Sequence, residues 1–150
     1  MRVSGSQTLM IGASPAACRA ALLDLGRYPE WYPGVREAEV LEAGPGAASA
    51  RLRFSTGLPV LASVDCTLRL EPRGADGLRP LALEGDLEID GSGWTLAAEP
   101  DGATLATYDI GVEMSVPGGF VTERLVKSRA RHFLIEEPVA ALKRLVESAA

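Results

Sequence analysis

Few residues in this chain combine a reactive group with a position that presents it to a ligand. Ser128 and His132 stand four apart on one helical face, which would set a hydroxyl beside an imidazole. His132 is the sole histidine, and its ordinary pKa lies near neutrality, so it is the first candidate acid or base. Tyr108 falls in the inward register of a strand, where a buried hydroxyl needs a partner. Arg124 lies beside the helical stripe, placed to pair with a carboxylate or an enolate. Gln7 shares the register of Leu9 and Ile11 and offers a further polar group. Each has a structural use as well. Ser128 can bond its own helix backbone, His132 can be satisfied at the sheet edge, and Tyr108 can bond a neighbouring strand. Arg124 can extend to solvent, and Gln7 can sit hydrated at a strand end.

Other chemistries lack their residues. Paired carboxylates and a nucleophile–base dyad are not evident. Cys18 and Cys66 lie in separate segments, and with one histidine no metal-ligand spacing arises, so neither a metal nor a cofactor is expected. The two cysteines read as small buried hydrophobes of a reduced protein. A net charge of −5 disfavours a nucleic-acid partner. The apolar runs fall short of the roughly 20 residues that span a bilayer, and the first residues lack the continuous apolar stretch of a secretion signal. The expectation is a cytoplasmic protein without an integral membrane segment. At 150 residues the chain fits one domain, 1–150.

Hydrophobic periodicity supplies the elements that must hold these residues. A first strand covers residues 4–11. Ser14 and Pro15 then form a helix start, Ser14 as cap and Pro15 at a position whose N–H would be unpaired anyway. The aromatic stretch Tyr28-Pro29-Glu30-Trp31-Tyr32-Pro33-Gly34 predicts one helical turn followed by a bend. From Val35 the period becomes two, and it persists through six strands. Leu81, Leu83, Leu87 and Ile89 share one face in this pattern, and Asp90-Gly91-Ser92-Gly93 reads as the turn before Trp94. Phe120 to Ser148 is helical. Val121, Leu125, Ser128, His132, Ile135, Val139, Leu142 and Val146 make one stripe, and Pro138 predicts a kink across which that stripe keeps its phase.

A seven-stranded sheet, at about 4.8 Å per strand, is several times wider than a helix about 10 Å across. Many inward positions are small (Ala50, Ala62, Cys66, Gly85, Ala98, Ala106), and the chain has only three Phe, two Trp and three Tyr to plug the concavity. An apolar pocket is therefore expected.

The segments "IGASPAACRAALLDLGRYPEWYPGV" and "VPGGFVTERLVKSRARHFLIEEPVAALKRLVE", separated by six strands, resemble the START-like (SRPBCC) superfamily, closest to its polyketide cyclase/dehydrase and coenzyme-Q-binding branch. The motifs that carry the resemblance are Ile11 to Pro15, Asp24…Tyr28-Pro29-x-Trp31, and Ala141-Leu142-Lys143, and it covers nearly the whole chain. It implies an α+β helix-grip fold, a seven-stranded antiparallel sheet curved around a long C-terminal helix. It also implies an internal pocket for a small hydrophobic molecule such as a lipid, quinone or polyketide, and a fold-associated role for Asp24. The expected pocket lining is Phe54, Val64, Cys66, Leu83, Trp94, Tyr108 and Ile110 from the strands. The helix contributes Val121, Arg124, Leu125, Ser128 and His132, with Trp31 at the lip. The function expected is carriage of that molecule. The alternative is an aromatase/cyclase or dehydratase using His132, Tyr108 or Arg124. A protein-interaction module would need an exposed apolar or basic patch, which the sequence does not reveal.

Overall fold

The computed structural model describes residues 2–55, 63–114 and 127–149. In chain order these form β1 (Arg2–Ile11), α1 (Pro15–Leu23), a 3₁₀ turn (Leu25–Arg27), α2 (Tyr28–Trp31), β2 (Val35–Glu42), β3 (Ala48–Phe54), β4 (Val64–Arg73), β5 (Gly77–Gly85), β6 (Leu87–Ala98) and β7 (Thr104–Met114). Residues 127–131 are helical, followed by a π-helical turn (His132–Glu136) and α3 (Glu137–Ser148). The seven strands make one antiparallel sheet in the order β1-β7-β6-β5-β4-β3-β2, curved around the C-terminal helix. The α+β helix-grip expectation is met.

The local signals act as their chemistry requires. Ser14 caps α1, its Oγ accepting from the Ala17 N–H at 3.1 Å, with Pro15 in the first turn. Such a cap contributes about 1 kcal/mol. Asp24 closes α1 through its backbone, the N–H donating to the Ala20 carbonyl and the carbonyl accepting from Arg27. Tyr28 is buried beneath the same turn and donates its hydroxyl to the Leu22 carbonyl at 2.5 Å. That bond serves one of the carbonyls that a helix end leaves without an intrahelical partner. Thr104, fully buried at the start of β7, ties the β1–α1 turn by donating to the Ala13 carbonyl at 2.7 Å.

The core lies on the concave face. Val3 and Ile11 of β1, Leu96 and Ala106 of β6 and β7, and Ile135, Val139 and Leu142 of the C-terminal helix are all buried there. Each large aliphatic side chain so buried is worth about 1.5–3 kcal/mol. The convex face is wet and carries cross-strand ion pairs, Arg51 with Glu39, Arg53 with Glu37 and Asp65, and Arg69 with Glu42, together with the same-strand pair Arg69–Glu71. β2 is the outermost strand on that side. Its register against β3 shifts between Val35 and Glu37 and again between Val40 and Glu42.

Two sequence expectations are corrected. The break between the fifth and sixth strands falls at Asp86, not at residues 90–93, which are instead a bulge within β6. The side-chain parity changes across that bulge, so Ile89 and Trp94 both face inward. In β5 the inward residues are Leu78 and Pro80, which turns Leu83 outward to 58% exposure. The helical stripe also fails to hold its phase. At the π turn the Glu137 N–H bonds back five residues to the His132 carbonyl. Pro138, which has no N–H to donate, follows in the first turn of α3. The longer turn rotates everything before it, so Ala130 is buried where the pattern had called for Ser128 and His132.

Candidate functional site

An apolar cavity of about 40 Å³ lies between the sheet and the C-terminal helix. One wall is the stacked cross-strand pair Trp94 (β6) and Tyr108 (β7), 4.2 Å between ring centroids at 17°. β3 and β4 supply Leu52, Phe54, Cys66, Leu68 and Leu70, and β5 supplies Pro80. Leu87 and Ile89 come from β6, and Ile110 and Val112 from β7. The roof is the aromatic turn, Tyr28, Tyr32 and Pro33, together with Phe133 and Leu134 of the π turn. Tyr28 and Tyr32 lie four apart on one helical turn and stack at 4.7 Å and 9°.

The volume holds a few water molecules, at roughly 10–15 Å³ each. It is far below the roughly 300 Å³ where drug-sized sites begin. Beneath the aromatic turn, among the described residues, the void expected from the width of the sheet is thus mostly filled. The filling comes from the aromatic turn and from Phe133 and Leu134, which the π turn rotates inward.

No residue among the described walls carries a permanent charge. The polar groups are the tyrosine hydroxyls, the Trp94 indole N–H and the Cys66 thiol. Burial pushes Tyr108 up to about 12 and Tyr32 well above the ordinary phenol range. At neutral pH both stay protonated, able to donate to a carbonyl or hydroxyl oxygen and poor at taking up a proton. Burial likewise pushes Cys66 up to about 11, so the thiol is not a ready nucleophile.

Of the expected lining, Phe54, Cys66, Trp94, Tyr108 and Ile110 reach the cavity. Val64 is buried beside Phe54 in the ladder but does not face the void. Leu83 points away from it. Trp31 packs edge-on against Tyr28 and Tyr32, behind the wall. Val121, Arg124 and Leu125 lie outside the described residues. Gln7 is half-buried opposite Tyr108 in the β1–β7 ladder and does not line the void.

Ser128 and His132 require the largest correction. Both are exposed, in an open cleft beside β1 with Lys127 and Arg131, and neither faces the cavity. His132 is held by Glu136 at 2.8 Å and Glu137 at 3.2 Å. The hydrogen bond to Glu136, with the negative charge of both carboxylates, raises its pKa above the ordinary value. The walls that sequence reasoning missed are chiefly Tyr28, Tyr32, Pro33, Phe133 and Leu134. The first three belong to an aperiodic turn, where only the density of aromatic residues was a signal.

Among the described residues no cluster of three or more His, Cys, Asp or Glu could hold a metal ion. No described helix is long and apolar enough to cross a membrane.

A curved seven-stranded sheet gripping a C-terminal helix over an apolar cavity is the architecture of START-superfamily proteins. The chain belongs to the polyketide cyclase/dehydrase and lipid transport family, whose model matches residues 2–147. A START superfamily protein from Mycobacterium smegmatis superposes with a TM-score of 0.76 at 21% identity, covering 98% of this chain and 99% of that one. The Zhui aromatase/cyclase from Streptomyces sp. R1128 gives 0.71 at 16% identity, over 99% and 94%. A STAR-related lipid transfer protein from Xanthomonas axonopodis gives 0.74 at 19% identity, over 95% and 84%. At these identities the likeness is one of fold. A search of curated protein sequences finds no match.

Proposed function

We propose that this chain binds a neutral, largely apolar small molecule, such as a lipid, quinone or polyketide, in the cavity and serves as its carrier. The supporting observation is the composition of the walls. Among the described walls, apolar and aromatic side chains surround the protonated Tyr32 and Tyr108 hydroxyls and no charged group. An ionised ligand would lose its hydration there without a counter-charge, whereas a neutral one with a single oxygen acceptor is satisfied. Because the void is small, a ligand must widen it on binding, so affinity depends on how easily the walls separate.

The test compares a neutral apolar dye, Nile red, and 2-naphthol with naphthalene-2-sulfonate, of similar ring size. The neutral probes are expected to bind at least about tenfold more tightly, a difference of about 1.4 kcal/mol. Equal or tighter binding of the sulfonate would sink the proposal.

The Tyr32–Tyr108 pair also supports a second reading, an aromatase/cyclase or dehydratase in which these hydroxyls polarise a substrate carbonyl. His132 lacks access to the void and contributes nothing to such a step. In that case Tyr108→Phe abolishes turnover of a polyketide-like substrate while leaving affinity nearly intact. For a carrier there is no turnover to lose.

A further inference from the structure

The sheet is not evenly closed. β4 and β5 pair at eight positions and β6 and β7 at ten, but β5 and β6 pair only at Gly77↔Thr95 and Leu78↔Trp94. Beyond that point each strand turns to its other neighbour. Gly85 at the end of β5, with φ +120°, approaches β4 so closely that a Cβ would strike the Asp65 carbonyl. Gly91 in β6, with φ +101°, approaches β7 likewise, a Cβ there lying 2.7 Å from the Asp109 carbonyl. Only glycine adopts such backbone at such contact without strain.

Gly93 of β6, with φ +77°, still packs against Leu78, Arg79 and Pro80 of β5, so it is residues 81–85 that lean on β4 and residues 87–92 that lean on β7. Both ends of the seam are tied. At the paired end Arg73 of β4 reaches over to β6, donating to the Ser92 carbonyl at 2.6 Å and the Thr95 hydroxyl at 2.7 Å. At the other end Asp86 joins the two strands in the chain itself and is anchored to β4, its N–H donating to the Asp65 carbonyl at 2.8 Å and its carboxylate accepting from the Asp65 N–H at 3.0 Å. Between these ties β5 carries Pro80, which has no N–H to offer. Proline inside a sheet belongs to edges and bulges, so β5 is a local edge here despite its central place in the strand order.

The borders of the seam are also walls of the cavity. Pro80, Leu87 and Ile89 face the void, and on the outer surface Leu83 is an exposed apolar side chain at the same place. We propose that the ligand enters and leaves through the sheet, by parting β5 from β6 between the Arg73 strap and the Asp65–Asp86 ties. Parting them breaks no paired ladder positions, whereas parting any other two strands breaks several. The same movement enlarges the void. This assignment rests on the ligand-binding reading above and adds the route.

The experiment joins Leu83→Cys to Glu88→Cys, both exposed positions flanking the seam, with a short bismaleimide. The control joins Glu39→Cys to Arg51→Cys, exposed partners in the β2–β3 ladder. Cys18 and Cys66 are buried, and burial raises both thiols, so they stay unlabelled. Stopped-flow uptake of Nile red is expected to slow by at least about tenfold in the seam-bridged protein, because binding there requires the conformational change that the bridge forbids. The control bridge and the unbridged double variant keep the wild-type rate. An unchanged rate in the seam-bridged protein overturns the route while leaving the binding proposal standing.

Hydrogen exchange judges the seam without a ligand. Amides of residues 81–85 and 87–92 that do not face β4 or β7 are expected to exchange at least about tenfold faster than those of residues 105–112 in β7, which is paired on both sides. Uniform protection across both stretches overturns the proposal even if no dye binds.

Discussion

Leu70→Ala separates a cavity wall from ordinary core. Leu70 lies on β4, is 2% exposed and faces the void. The substitution removes three buried carbons, about 2.4 kcal/mol at about 0.8 kcal/mol per group. Enlargement of the void adds about 24 cal/mol per Å³ of space that does not collapse. A total near 3 kcal/mol corresponds to a fall in Tm of roughly 6–12 °C for a chain of this length. The same change gives a ligand space it would otherwise have to open, so affinity for a neutral apolar dye should rise by about tenfold. Leu142→Ala is the comparison. Leu142 is fully buried on α3 and does not face the void, so it should lose similar stability and gain no affinity. Urea melts give the stability differences and fluorescence titration with Nile red the affinities. If both variants lose stability and bind the dye identically, the void is not where the dye sits, and the reasoning that ties wall chemistry to ligand choice is wrong.

Three more outcomes follow from particular contacts. Tyr28→Phe leaves the Leu22 carbonyl without its partner in a buried place and should lower stability by about 1–3 kcal/mol in a urea melt. His132, as the sole histidine, gives one imidazole signal in NMR. Its midpoint should lie above the ordinary 6.5 and fall in Glu136→Gln. Since the folded value is the higher one, the stabilisation from this pairing is complete at pH values below about 6.5 and disappears as pH rises through the folded midpoint. Cys18 and Cys66 should resist iodoacetamide at neutral pH in the folded protein and react in urea, because burial raises both thiols. Rapid labelling of Cys66 in the folded state would mean that the void stands open to solvent.

The sequence carries the succession of strands along the chain and the first helix plainly, because both rest on local signals. The period of two from Val35 needs no tertiary information, and Ser14-Pro15 is a cap wherever it occurs. The site is less legible, for a physical reason. An inward list depends on counting parity, and every bulge resets the count. The turn at Asp86 and the β5 bulge that leaves Leu83 unpaired between Ala82 and Glu84 placed Leu83 on the wrong face. The π turn before Pro138 did the same to Ser128 and His132, whose spacing was right for a regular helix. Tyr28, Tyr32 and Pro33 escaped notice because an aperiodic turn has no face to read. Five of the strand residues picked from parity do face the void, Trp94 among them because the pattern was restarted after residues 90–93.

The two register shifts in β2 have a consequence for the protein's behaviour among copies of itself. An outermost strand offers unpaired amides and carbonyls to any extended chain that comes alongside, and Val40 and Leu41, both about half exposed, would make such an addition adhesive. A straight newcomer cannot follow a backbone that kinks twice within eight residues. It would also have to strip water from Glu37, Glu39 and Glu42 along the way. The rim with the stickiest side chains is therefore the one least able to seed a fibril.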